Sequence, residues 1–177
     1  MSHGLLSTET TADLRSVMRR FPTGVALLST GRGDEAVAMT INALMSVSLE
    51  PPRILVSVLD HARARPVLER TEEFTVNLLA GEQAELARLF ASRTKPTGAG
   101  LTDHLQAMNR NGTDCTVLPG ALATLSCSVE ATYPVGDHSL FLGRVERVVA
   151  PADSSAPLLF HQGELAGMPA LATTGTH

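Results

Sequence analysis

The spacing of apolar positions along the chain first changes period near residue 22. Before it, Leu14, Val17, Met18 and Phe21 recur at i, i+3, i+4 and i+7, which places them on one face of a short helix. Thr11 or Asp13 is positioned to cap that helix, and Pro22 ends it. After it the pattern is that of strands. Residues 25–30 read as one strand, 31–35 as a Gly-containing turn, and 37–48 as a returning strand or strand pair. Residues 54–59 form a short apolar run, as in a buried strand. Pro66 suits the first turn of a helix reaching Arg70, and 74–79 is a further strand. Over 82–91, Leu86, Leu89 and Phe90 share one face, which predicts a surface helix. The stretch 94–111 is rich in Gly, Pro and polar residues and reads as the longest loop, with one helical turn around 103–108.

The second half is β throughout. Ala123, Leu125, Cys127, Val129 and Ala131 alternate with Thr124, Ser126, Ser128, Glu130 and Thr132, the cleanest period of two in the chain. Residues 139–150 form a second strand and 157–163 a last short one, while 1–10 and the stretch after 169 read as polar tails. Many short strands with few helices predict a mainly β fold, a barrel or sandwich, built as a single domain over 1–177 with its core in about 12–168.

Composition narrows the function classes. A chain of 177 residues that is 44% hydrophobic, with mean hydropathy +0.10, can bury one core. Aromatic residues make up only 3%, with no Trp and one Tyr, so the core is aliphatic and stacking platforms for single-stranded nucleic acid are scarce. A net charge of −4 gives no footprint for DNA or RNA. No apolar run approaches the length of a membrane span and the N-terminus lacks the layout of a signal peptide, so a reducing cytoplasm is expected. Cys115 and Cys127 form neither CxxC nor zinc spacing; Cys127 reads as a small buried hydrophobe and Cys115 as a loop thiol. The six histidines have no metal-ligand spacing, and nucleophile-elbow, HExxH, Walker and GxGxxG motifs are all absent. No metal is expected, and any chemistry would be carried by bound cofactors.

The string MTINALMSVSLEPP is the most specific in the chain. Thr40, Asn42, Ser46 and Ser48 fall at even spacing, on one face of an extended segment. Such a neutral row suits a flat, polar-edged ligand or a phosphate, and it equally suits an ordinary solvated strand face. The string is preceded by RRFPTGVALLST and followed by EFTVNLL, ELARLFAS, LPGALATLSC, GDHSLFLGRV and PLLFHQGEL. In that order, from about Ser16 to Leu165, the series resembles the flavin reductase-like family, the FMN-binding split barrels.

The resemblance implies a split β-barrel and an NAD(P)H-dependent flavin reductase. Such an enzyme moves a hydride from NADH or NADPH to FMN or FAD and supplies reduced flavin to a partner monooxygenase. It implies a homodimer with flavin near the subunit interface. Two other readings stay open: a flavin-binding barrel with little turnover, and a flavin-dependent enzyme acting on an organic substrate. By the same resemblance Met39, Thr40, Ile41 and Asn42, with Ser46, Val47 and Ser48, form a wall against the flavin. Asn77 lies near it, or else is a strand-end amide satisfying neighbouring backbone. Thr23, with Phe21, Pro22 and Gly24, lines the mouth. His138 of GDHSLFLG faces the nicotinamide, or else is a turn residue at a strand start, with Asp137 orienting its ring or capping the turn, and His161 is a weaker candidate. Arg63 and Arg65, and Phe90, Arg88, Arg93 and Lys95 at the end of the next helix, fall to the phosphate end. Here Ala62-Arg63-Ala64-Arg65-Pro66 replaces the hydroxyl-rich segment common in the family, exchanging hydroxyls for guanidinium groups.

Overall fold

The computed structural model describes residues 10–108, 118–151 and 155–169; Cys115 and the segments 1–9 and 170–177 lie outside them. In chain order the elements are α1 (Thr10–Met18), β1 (Thr23–Gly24), β2 (Ala26–Thr30), β3 (Val37–Ile41), β4 (Leu44–Leu49), β5 (Pro52–Leu59), α2 (Ala64–Thr71), β6 (Glu73–Leu78), α3 (Ala84–Ala91), α4 (Gly98–Met108), β7 (Ala123–Val135), β8 (His138–Val149), β9 (Leu158–His161) and β10 (Glu164–Gly167). Seven strands form one antiparallel sheet in the order β3-β2-β6-β7-β8-β5-β4, and β1-β9-β10 form a second.

The large sheet curls on itself. Ile41 of β3 and Ile54 and Val56 of β5, from opposite ends of the strand order, meet in one core with Leu28, Val76 and Phe141. The helix α2 closes this interior with Ala64, Val67 and Leu68, each large side chain contributing about 1.5–3 kcal/mol by leaving water. A second core lies outside the barrel wall, where Leu27, Ala38, Leu86, Phe90, Leu101 and Leu158 pack under α3, α4 and β9. Neighbours Leu27 and Leu28 enter different cores, as strand alternation requires. Cys127 is a free, buried thiol in the inner core, pushed up to about 12 by burial and then by Glu146.

The stretch 37–48 is two strands, the second of its two readings, and they lie at opposite edges of the sheet, with Asn42 and Ala43 carrying the chain across the split between them. Four other local readings of the sequence are corrected. In β4 the register shifts between Ser46, opposite Ile54, and Ser48, opposite Arg53. Val47 is the extra residue of that bulge, so Ser46 and Ser48 do not share a face, and Thr40, Asn42, Ser46 and Ser48 form no single row. In β5 only Ile54, Val56 and Val58 are buried; Leu55, Ser57 and Leu59 point to the other, half-open face. The expected loop contains an eleven-residue helix, α4, held down by buried Leu101 and by the edge-on packing of His104 on Phe90, with ring centroids 5.9 Å apart. Finally, α1 forms, but it starts at Thr10, so Thr11 and Asp13 lie inside it rather than at its cap, and Leu14, Val17 and Met18 remain 52–60% exposed.

Candidate active site

The split leaves a cavity of about 730 Å³ beside the Asn42–Ala43 crossing. The end of α1 (Met18, Phe21), the strand β1, the start of β4 and the outer face of β5 (Leu55, Ser57) surround it, and Leu140 of β8 completes the sheet wall. Its surface is overwhelmingly apolar. Thr23, Asn42 and Ser57 are its polar side chains, and Thr23 Oγ1 is buried with no hydrogen-bond partner. A second cavity of about 330 Å³ lies between α3 and the β9–β10 hairpin. The two share Val25, Ile41 and Asn42, so Asn42 stands where they join. Both β3 and β4 are edge strands of the large sheet, each with one side unpaired in it at the split.

At the β5–α2 connection the arginines divide into two sets. Arg65 is consumed by carboxylates: its Nε lies 3.5 Å from Asp60 Oδ1 and its Nη2 3.1 Å from Glu69 Oε1. Arg88 pairs with Glu85 on its own helix. Arg63 instead reaches across to α3's end, where its Nη2 donates to Arg93 O at 3.4 Å. Lys95 is part-buried nearby, and burial, with the Arg63 charge adding to it, pulls its pKa below the usual lysine range. Among the described residues, no carboxylate lies within ion-pair distance of Arg63, Arg93 or Lys95. Arg63 and Lys95 thus form a cationic corner at the start of α2, whose N-terminus has no side-chain cap, and such a corner suits an anion.

His138 opens β8, opposite Leu59 of β5 and Val135 of β7. Its Nδ1 is 2.7 Å from Asp137 Oδ1, and this hydrogen bond holds the Asp137 carboxyl below the usual range, helped by backbone and by the nearby His61. The ring is 39% exposed. His138 shares a sheet face with Leu140, two residues on, so it stands beside the cavity wall rather than within the lining.

Several expected ligand contacts are taken up elsewhere. Asn77 is 2% exposed; its Oδ1 accepts from Leu118 N at 3.1 Å and Thr124 Oγ1 at 2.6 Å, pinning the approach to β7. Phe90 is fully buried in the second core. Thr40 lines the smaller cavity, but its Oγ1 donates to Ala87 O at 2.7 Å, fastening β3 to α3. Ser48 Oγ donates to Pro51 O. Met39 is half-buried against the inner core, Ile41 lines both cavities, and Ser46 and Val47 are exposed on the edge strand β4. Arg93 gives its backbone carbonyl to Arg63 and is itself exposed. Leu55, Ser57 and Leu140 escaped the sequence reading; the alternation of β5 was the signal that could have found them.

One sheet face next to the cavity is apolar and open. Register puts Met45, Leu55 and Leu142 in one row across it, and Leu140 and Tyr133 in the next. Met45, Tyr133 and Val135 are each about half exposed there.

A curled antiparallel sheet, split at its β3–β4 edge around an apolar cavity, is a split barrel. The chain matches the flavin reductase like domain over residues 18–169 and belongs to that family. It is 36% identical over 151 residues to an NADH-dependent FMN reductase of Streptomyces nodosus subsp. asukaensis, covering 85% of this chain and 81% of that protein. It is 36% identical over 148 residues to the reductase component of a 4-hydroxyphenylacetate 3-monooxygenase of Thermus thermophilus, covering 84% and 90%. The crystal structure of the flavin reductase component of a bacterial two-component tryptophan halogenase superposes with a TM-score of 0.78 at 34% identity, covering 91% of this chain and 99% of that one.

Proposed function

We propose that this protein is an NADH-dependent flavin reductase: it passes a hydride from the nicotinamide to FMN or FAD and supplies the reduced flavin to a separate flavin-dependent monooxygenase. The observation that carries the reading is the pairing of an apolar cavity, holding one orphaned hydroxyl, with a cationic corner free of carboxylates. A buried polar atom without a partner costs about 1–3 kcal/mol, so a ligand that brings one to Thr23 Oγ1 gains what the free protein lacks. A bound flavin supplies the hydride acceptor. The chain's own work is then to bind, orient and exclude water, which explains why no acid–base set accompanies the cavity.

The residues divide that work. Asn42 and Thr23 take the polar edge of the flavin ring, with backbone of Met39–Ile41 and of Ser46–Ser48 along the two open strand edges. Arg63, Arg93 and Lys95 take the phosphate, guanidinium groups standing in for the missing hydroxyls. His138, kept in place by Asp137, walls the nicotinamide side. The open face around Met45, Tyr133 and Val135 is an interface with a second copy, so the active form is a homodimer in the cytoplasm. Among the described residues no helix is long and apolar enough to cross a membrane. The test is consumption of NADH by purified protein with excess FMN or FAD. Flavin-dependent NADH loss with little flavin retained by the protein is expected; retained flavin without NADH consumption would replace this reading with that of a flavin-holding barrel.

A further inference from the structure

We infer that Asp60 is a positioning residue that sets His138 against the cationic corner, an inference that rests on the proposed reading of both. Asp60 directly follows β5. Its backbone N–H donates to Asp137 O at 3.0 Å, and its Oδ1 accepts from Ser139 Oγ at 2.9 Å. The two neighbours of His138 are therefore held by one residue. Ser139 is fully buried, so its hydroxyl has no water to replace Asp60 if that bond is lost.

The same Oδ1 lies 3.5 Å from Arg65 Nε, a buried atom with no hydrogen-bond partner of its own. Attraction to Asp60 and Glu69 holds the Arg65 guanidinium between these two carboxylates. That choice leaves Arg63, two positions earlier, as the guanidinium that reaches Arg93. The segment between is short and tied: Ala62 N–H donates to Leu59 O at 2.9 Å, and Arg65 N–H to Ala62 O at 3.1 Å. One carboxylate thus fixes the hairpin tip carrying His138 and decides which arginine of the Ala62–Pro66 stretch faces the anion site. The hydrogen bond to Ser139 needs only an acceptor, whereas the hold on Arg65 needs the charge. The two jobs can be separated by substitution.

Steady-state kinetics on Asp60→Asn, Asp60→Ala, His138→Ala and the double variant Asp60→Ala/His138→Ala, each with its melting temperature, test this. Asp60→Ala should raise the KM for NADH about three- to tenfold, the loss of one buried hydrogen bond, and Asp60→Asn should recover most of that loss. In the His138→Ala background the same substitution should change KM for NADH less than about twofold, because it acts through His138. A lower melting temperature with a native KM for NADH, or effects that multiply in the double variant, would overturn the inference while leaving the proposed site standing. An unchanged KM in His138→Ala alone would remove the reading of His138 and this inference with it. Should Asp60→Ala fail to fold, Ser139→Ala removes the same hydrogen bond from the other side and carries the same expectation.

Discussion

Arg63 and Arg65 are two residues apart in the chain, share a side-chain type, and have opposite fates. Arg65 is neutralised by Asp60 and Glu69, so its charge is spent on local structure. Arg63 reaches the Arg93 carbonyl and lies near Lys95, whose pKa is lowered by burial first and by the Arg63 charge second, and among the described residues no carboxylate is in reach. The account therefore predicts a split between two substitutions. Arg63→Ala should weaken FMN binding roughly tenfold, the worth of about one charge-assisted hydrogen bond. It should leave riboflavin, which has no phosphate, bound as before. Arg65→Ala should lower the melting temperature and change FMN affinity much less. Equilibrium titration with both flavins distinguishes them, and a larger FMN defect in Arg65→Ala would reassign the phosphate. Nothing in the sequence separates these two arginines. The distinction comes from Asp60 and Glu69, at −5 and +4 from Arg65, of which only the second is a helical spacing a reader could use.

At the scale of elements, one buried face imposes period two, as β5 and the first half of β8 show, whereas β7, the cleanest alternation in the sequence, carries two bulges and buries Thr124 along with Cys127. Three features defeated that logic for physical reasons. The bulge at Val47 inserts one residue, which turns the following side chains to the other face without leaving any trace in composition. Asn42 and Ala43 cross between opposite sheet edges, so a row continuous in sequence is broken in space. In α4, Gly98 and Gly100 lower helix propensity, and the helix is held by tertiary packing of Leu101 instead. Asn77 Oδ1 accepts from Leu118 N–H and from Thr124 Oγ1, partners 41 and 47 residues away that no local pattern reveals. Among the described glycines, Gly143 of β8 has the least room, since an added Cβ would lie 2.7 Å from Phe74 Cε1 and 3.3 Å from Cys127 Cβ. Gly143→Ala should accordingly destabilise the barrel by about 1–3 kcal/mol, the usual range for overpacking a filled core. Chemical denaturation measures it, and a change below half a kcal/mol, on the order of an ordinary surface substitution, would mean that Phe74 moves aside freely.

For the molecule as a whole, the cavity and the open apolar face are one continuous feature, since Met45, Leu55 and Leu140 belong to both. A second copy covering that face would bury Tyr133 and Val135 and shield the cavity mouth from water. Replacing both by Asp should give a monomer by light scattering and raise the KM for NADH, because a charge in the centre of an apolar contact is strongly unfavourable. A dimer that persists in that double variant would move the interface elsewhere, with α1's exposed Leu14 and Val17 next in line. The fold class and family were legible from the order of the sequence segments, while the cavity itself was not, because its walls come from seven separate stretches that only the curled sheet brings together. The most direct test of the central claim is a crystal structure of the protein with flavin bound. The account predicts the ring system in the cavity at the split, its polar edge on Thr23 Oγ1 and Asn42, and the phosphate on Arg63, Arg93 and Lys95. A flavin lying outside the split, or one whose phosphate rests on Arg65, would contradict it.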